Sequence, residues 1–436
     1  MAKWVESGAR SLFITILGRS INTGSLTIVE DGTPIIFQGI DCDDENQLFK
    51  AISLKLHNPN FYWKVMTRND IGLADAYIEG DFAVVDQDQG LLPLFLLLIA
   101  NRDGNKSELN SNNRGWWTPA SVISSANFLL RHVMRNNSLT QARRNISRHY
   151  DLSNEFFALF LDETMTYSSG IFKNEDDDDL KGAQLRKISS LIQKARIGNR
   201  QEVLEIGCGW GSFAIEVVKR TGCNYTGITL SLQQLQYAQA KVNEAGLQDH
   251  IQLLLCDYRQ LPKTKKFDRI VSCEMIEHVG HEYMDEFFAS CESVLAKDGL
   301  FVLQFISIPD ERYDQYRQSS DFIKEYIFPG GCLPSFTRVI AAMNSSSRLC
   351  VEHVENIGSH YFYTLRCWRQ NLMNHRSEIL EMGFDEKFIR TWEYYFDYCA
   401  AGFKTYTLGD YQVVFSRPGN MVALGEPYKS FSSAYH

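Results

Sequence analysis

Between Glu202 and Ile308 the chain alternates short apolar runs with longer stretches of helical period. The runs "EVLEIG", "NYTGITL", "IQLLLCDY", "FDRIVSCEM" and "GLFVLQFISI" are rich in β-branched residues. Segments such as "LQQLQYAQAKVNEAG" separate them. Strand, helix, strand, helix predicts a parallel sheet covered on both faces, an α/β Rossmann-like doubly wound fold. In such sheets ligands bind beyond the carboxyl ends of the strands, so the loops that follow the strands are the places to search.

Upstream the pattern is different. Residues 21–40 alternate apolar and polar positions around Asp31-Gly32, which predicts a β-hairpin. "FYWKVMTRND" and "DFAVVD" read as further short strands, and "LLPLFLLLIAN" as a helix of a small N-terminal α+β domain. "NRDGNKSELNSNNRG" (Asn101–Gly115) is polar and aperiodic, as a linker is. A mainly helical stretch follows to about residue 199. Its acidic run "NEDDDD" (Asn174–Asp179) lacks the alternating ligands and glycine turn of a calcium loop, and reads as a solvated lead-in to a helix.

Composition narrows the function classes. The 436 residues are 44% hydrophobic and 22% charged, as in a globular chain with a full core. A net charge of −9 gives no basic footprint for nucleic acid, and none for anionic membranes. The apolar run Leu91–Ala100 is half a membrane span. The start has no signal-peptide pattern, and ten cysteines without a Cys-x-x-Cys read as reduced thiols; both point to the cytoplasm.

Two motifs carry chemistry. In "EIGCGWGSF", Gly207, Gly209 and Gly211 lie between a strand and a helix, with Glu205 two residues ahead. Glycines there permit tight turns and close approach of a ligand to the backbone. The spacing is one residue short of the dinucleotide fingerprint, with Ser212 where that count ends. In "EMIEHVGHE", Glu277 and His278 fall at the carboxyl edge of a strand. Val-Gly separates His278 from His281, unlike the continuous helical H-E-x-x-H of a zincin, so no metal site is expected. His281 and Glu282 open the next helix and are expected to face solvent.

The form E-x-G-x-G-x-G resembles the first motif of class I S-adenosylmethionine-dependent methyltransferases. The ordered stretches "ARRNISRHYDLSNEFF", "LDETMTYSSGIF", "VLEIGCGWG", "GITLSLQQ", "EMIEHVGHEYM", "EYIFPGGCLPS", "HYFYTLRCW" and "YCAAGF" resemble the cyclopropane-fatty-acyl-phospholipid synthase family, which includes the mycolic acid cyclopropane synthases. The wording "QFISIPDERY" and onward is most similar to a plant-type branch. The resemblance implies three segments: a lipid-enzyme α+β domain with its linker over 1–117, a helical lead-in and active-site cap over 118–200, and a methyltransferase domain over 201–436. It places S-adenosylmethionine against Tyr167, Ser168, Glu205, the loop Gly207, Cys208, Gly209, Trp210 and Gly211, then Thr229, Leu230, Gln234 and Tyr258.

The resemblance further implies a bicarbonate base held by Ser169, Glu277, Gln304, the backbone of Ile306, and Tyr361. His278 stands beside that set, and Cys399 matches another position singled out in the family. Bacterial members carry a cysteine where Ser169 stands and a histidine where Gln304 stands. Both groups here are neutral and are expected to hold an anion less firmly. The implied activity is methyl or methylene transfer to the double bond of an unsaturated phospholipid acyl chain, forming a cyclopropane or a branched product. Small-molecule N- or C-methyl transfer, and a cofactor-binding but inactive lipid protein, stay open. A cytoplasmic, peripherally membrane-associated enzyme is expected, with a homodimer left open.

Overall fold

Asp31 and Gly32 both adopt positive φ, 48° and 79°, as a two-residue hairpin turn of the primed type requires. They join β1 (Ser25–Glu30) to β2 (Thr33–Gln38) with Glu30 opposite Thr33. The computed structural model describes residues 3–39, 51–104, 152–174 and 179–425. β3 (Ile52–Leu56) runs parallel to β1, and β4 (Phe82–Val84), within the expected "DFAVVD", is antiparallel to β3; the sheet order is β2-β1-β3-β4.

"FYWKVMTRND" is not a strand. It lies in a helix, Asn60–Ile78, that starts after Pro59 and is broken locally at Asn69 (φ 50°). Its aromatic content suits a strand, but Phe61 and Tyr62 stack edge-on against Phe13, each at 5.3 Å, and tertiary packing overrides the propensity. The helix expected from "LLPLFLLLIAN" spans Leu92–Gly104. Leu92, Leu94, Phe95, Leu96 and Leu97 are buried, so most of this run is core. The helix also takes in the first residues of the expected linker. Asn101 is buried, and its Oδ1 accepts from the N–H groups of Asn22 and Thr23 at 2.7 and 3.0 Å. The rest of the linker, and the helical stretch up to 151, lie outside the described residues. So do 175–178 of the acidic run; Asp179 at its end caps the helix Leu180–Ala195, accepting from Gly182 N at 2.7 Å.

The chain forms two compact units, and neither is contiguous. One gathers the described residues of Met1–Met134 with Gln318–Ile327 and Leu365–Tyr406; the other gathers those of Arg135–Arg317, Phe328–Thr364 and Thr407–His436. This differs from three consecutive segments. The helix Glu386–Lys404 returns to the N-terminal helices, Phe95 meeting Tyr394 edge-on at 5.0 Å. The fully buried Asp397 accepts from Leu91 N (2.8 Å), Arg366 (2.7 Å) and Arg369 (3.2 Å). Cys399 belongs to this unit. Burial pushes its thiol well above the ordinary range, so it is protonated at neutral pH.

The second unit is built on seven strands: β5 (Glu202–Ile206), β6 (Asn224–Thr229), β7 (Ile251–Leu255), β8 (Phe267–Cys273), β9 (Leu295–Ser307), β10 (Cys350–Asn356) and β11 (Gly409–Ser416). Their order is β10-β11-β9-β8-β5-β6-β7, with β11 antiparallel to both neighbours and β5 to β9 mutually parallel. Successive residues of one strand point to opposite faces, and here both faces are sealed. Leu204, Ile270, Phe301 and Phe415 belong to one apolar cluster; Val203, Val271, Val302 and Val414 belong to the other. The continuous apolar runs of the sequence are the consequence. Strand order reverses around β5, which puts the crevice beyond the carboxyl ends of β5 and β8.

Candidate active site

The turn after β5 opens that crevice. Gly207, Gly209 and Gly211 all have positive φ, 88°, 49° and 87°. A Cβ on Gly207 would lie 2.9 Å from Met275 Cγ, and one on Gly211 the same distance from Ala238 Cβ, whereas one on Gly209 meets nothing within 4 Å. Gly207 and Gly211 are therefore packing glycines, and Gly209 borders open space. That space is a cavity lined by eleven of the twelve residues expected at the cofactor: Tyr167, Ser168, Glu205, Gly207, Cys208, Gly209, Trp210, Thr229, Leu230, Gln234 and Tyr258. Gly211 is set back against the following helices.

Local bonds hold these side chains. Trp210 Nε1 donates to Asn154 Oδ1 at 2.7 Å, and its ring lies 5.0 Å from that of Phe157, which also flanks Tyr167. Thr229 Oγ1 donates to Gln234 Oε1 at 2.9 Å, which leaves the Gln234 amide nitrogen to face a ligand. Glu205 accepts from the Tyr225 hydroxyl at 2.7 Å, and burial raises its carboxyl to about 7. Asp257, absent from the sequence expectations, accepts from Arg259 Nε at 2.8 Å and from Arg259 N at 2.9 Å beside Tyr258. Lys187 also lines the cavity and donates to Ser168 Oγ at 2.8 Å.

Beyond β8 the same cavity reaches Glu274 and His278. His278 packs 5.4 Å from the ring of Phe328, and burial pulls its imidazole down to about 4, so it is neutral at physiological pH. His281 is half-buried and shares a 2.8 Å hydrogen bond with Tyr313; it does not face solvent as expected, though Glu282 does. The two imidazoles thus have separate surroundings.

Ser169, Gln304 and Tyr361, expected around an anion, do converge, but on the side chain of Glu274. Its Oε1 accepts from Ser169 N at 2.9 Å and from Gln304 Nε2 at 2.7 Å; its Oε2 accepts from the Tyr361 hydroxyl at 2.7 Å. Glu277 Oε1 accepts from Ile306 N at 2.6 Å, while its Oε2 is buried without a partner among the described residues. The Ser169 hydroxyl turns to the carbonyl of Gly170 at 3.1 Å, so its main chain, and not its side chain, meets the acid. Gln304, Tyr361 and Ile306 N are engaged by Glu274 or Glu277 and the Ser169 hydroxyl by Gly170, and the residues present do not fit that ion.

The bonding direction is fixed from a distance. The Lys194 ammonium can only donate, so Gln412 presents its oxygen to it. Gln412 Nε2 then donates to Gln304 Oε1 at 2.8 Å, and Gln304 must turn Nε2 toward Glu274 and toward Asp410 Oδ2, 3.0 Å away. Strand register makes this chain possible: Gln304 on β9 is opposite Gln412 on β11, and Ile306 opposite Asp410. Burial raises the carboxyls of Glu274, Glu277 (to about 8) and Asp410, and repulsion from Glu274 adds to it at Glu277 and Asp410. Asp410 is raised well above its ordinary range, by burial first and then by the neighbouring Glu274 and Glu277. Of the three acids, Glu274 is the one with donors on both oxygens.

Glu274 is the first residue of "EMIEHVGHE" and escaped the sequence reading. Its signal was a carboxylate directly at the end of a buried strand; its backbone adopts φ 49°, which non-glycine residues rarely do.

Comparison with known proteins fits this geometry. Residues 137–413 match the family model described as mycolic acid cyclopropane synthetase. The tuberculostearic acid methyltransferase UfaA1 of Mycobacterium tuberculosis is 35% identical over 377 residues, covering 85% of this chain and 84% of its own. The cyclopropane-fatty-acyl-phospholipid synthase of Escherichia coli strain K12 is 31% identical over 364 residues, covering 84% and 87%. Among solved structures, the mycolic acid cyclopropane synthase CmaA1 complexed with SAH and CTAB superposes with a TM-score of 0.58 at 30% identity, over 63% of this chain and 98% of that one. An S-adenosylmethionine-dependent methyltransferase, this chain belongs to the mycolic acid cyclopropane synthetase family.

Proposed function

We propose that the protein transfers a methyl group to the double bond of an unsaturated phospholipid acyl chain, giving a cyclopropane or a methyl-branched product. The observation that carries this reading is the buried acid cluster opening into the cofactor cavity at Glu274. When bound, S-adenosylmethionine supplies a methyl group on a cationic sulfonium. An isolated alkene has no proton to lose before methylation and an acidic one to lose after it, so the chemistry calls for a base fixed inside a dry cavity. The aromatic rings of Tyr167, Trp210 and Tyr258, and the neutral His278 ring, line the cavity and suit a transient carbocation. An amine acceptor loses its proton readily to water and needs no such enclosure. The E. coli relative is named a cyclopropane-fatty-acyl-phospholipid synthase and the mycobacterial one a tuberculostearic acid methyltransferase, which supports a lipid acceptor.

Among the described residues no helix is long and apolar enough to cross a membrane. We take the enzyme to work from the cytoplasm, meeting its lipid peripherally at a membrane surface. Mass spectrometry of phospholipids from expressing cells tests the acceptor: monounsaturated chains should gain one methylene. Mild hydrogenation then separates ring from branched alkene. Methylated product found on amines and absent from lipids would refute this reading.

A further inference from the structure

We infer that the Glu274 carboxylate is the resident base of this enzyme, standing where an external anion would otherwise be recruited. The inference rests on the acceptor being an alkene, as proposed above. Three observations carry it. Gln304 Nε2 and Tyr361 Oη, two of the donors expected to hold a bicarbonate ion, both point to this one side chain, and the N–H of Ser169 joins them there. Ile306 N, a third donor of that set, is satisfied by Glu277. And Glu274 borders the cofactor cavity, while Ser169, Gln304 and Tyr361 stand behind it.

A second anion would find no free donor in this set and would lie beside a carboxylate in a low-dielectric enclosure. The Lys194–Gln412–Gln304 chain fixes the amide that holds Oε1, and the phenol fixes Oε2. A base held at both oxygens needs little reorganisation when the reaction occurs.

The step balances without a further reagent. The alkene π pair forms the new carbon–carbon bond to the donor methyl while the methyl–sulfur bond breaks, its pair staying on sulfur and cancelling the sulfonium charge. The other alkene carbon becomes cationic. A C–H bond of the added methyl then breaks; its pair closes the three-membered ring, and the proton passes to Glu274. Where a hydride shifts to the cation first, the same carboxylate takes a proton from the neighbouring carbon and a branched alkene results. The proton leaves to solvent when the cavity opens for product release.

The test uses the full-length protein on vesicles of dioleoyl phospholipid, in buffer stripped of carbon dioxide and then with added bicarbonate. Native turnover should be the same in both. Glu274→Gln, which keeps the shape and removes the base, should lose at least about 10²-fold in turnover. It should retain affinity for S-adenosylhomocysteine by calorimetry. Glu274→Ala should regain part of its activity with bicarbonate or acetate. Native turnover that climbs several-fold with bicarbonate, or near-native turnover in Glu274→Gln, would overturn the inference. If the native protein methylates no lipid, the acceptor reading fails, and carbon-13 NMR of labelled bicarbonate still decides the site. A bound signal with Glu274→Ala and none with the native protein supports the inference; saturable binding to the native protein, lost in Tyr361→Phe, refutes it.

Discussion

The glycine loop after β5 and the acid cluster beyond β8 border one cavity by opposite means. The loop does its work with main chain. Three positive-φ glycines within five residues let the backbone turn, and only Gly209 leaves open space. The acid cluster is gathered from five separated places: the main chain of Ser169 and the side chains of Glu274, Gln304, Tyr361 and Asp410. A contiguous backbone device tolerates almost no change at its open position and is indifferent to distant residues. A dispersed side-chain device degrades by steps, each step the loss of one bond.

The largest expected effect is therefore on the loop side. Gly209→Val puts a branched side chain into the only open position of the turn and forces it to a φ that β-branched residues avoid. S-adenosylmethionine affinity should fall more than about 10²-fold by calorimetry, with a native circular dichroism spectrum. Near-native affinity would remove the loop from the binding site. Gly211→Ala makes the contrast: its Cβ would meet Ala238, so thermal stability should drop first, and affinity only through it.

The same contrast explains what the sequence disclosed. A contiguous motif is visible in a string, and so are strands sealed on both faces, because their runs are apolar almost throughout: Val203, Leu204 and Ile206 are buried, as are Leu300 to Leu303 and Phe305. The acid cluster depends on register between β9 and β11 and on a loop at residue 169, which no local pattern encodes. Gln304 shows the consequence. Read alone, it is a neutral replacement for a cationic anion holder, so Gln304→His should tighten the site. In place, it is fully buried and links Glu274, Asp410 and Gln412 through three bonds at once. An imidazole has two ring nitrogens and cannot make all three, so Gln304→His should loosen the cluster. The helix Asn60–Ile78 was hidden for a related reason: its aromatic residues suit either element until Phe13 packs on them.

On the acid side the next effect belongs to Glu277. Its Oε1 holds the Ile306 N–H, and its other oxygen has no partner among the described residues. Glu277→Gln should lower turnover by about 10²-fold, the usual size for a group that assists proton transfer, with little change in cofactor affinity. Parallel loss of cofactor binding would instead make Glu277 part of the loop side of the comparison.

Tyr361→Phe removes a single donor from Glu274 Oε2. A hydrogen bond to a charged group contributes about 1.5–3 kcal/mol, so turnover should fall roughly 10- to 100-fold. The phenol stabilises the anionic carboxylate, and its loss raises the Glu274 carboxyl further. The acid limb of the pH–rate profile should then move to higher pH. A uniform loss of rate with an unshifted profile would mark a packing role only.

The smallest effect is a pH-dependent stability difference, and it separates the two sides most cleanly. Burial, and then Glu274, raise the Glu277 carboxyl from its ordinary value near 4.5 to about 8. In the unfolded chain the group ionises near its ordinary value; in the folded chain it keeps its proton until about pH 8. The native state thus binds more protons than the unfolded state across this window, and stability falls as pH rises through it. Below the window both states are protonated and the contribution is fully present. Glu277→Gln keeps the acceptor for Ile306 N and resembles the protonated acid, but it cannot ionise when the chain unfolds. Its melting temperature should gain on that of the native protein as pH rises from 5 to 8, by a few degrees for each kcal/mol of lost linkage in a unit of this size. Gly209→Val, by contrast, should keep a constant offset over the same range, because no titrating group changes. A constant offset for Glu277→Gln as well would mean that Glu277 ionises alike in both states, and that Glu274 is not the neighbour that raises it.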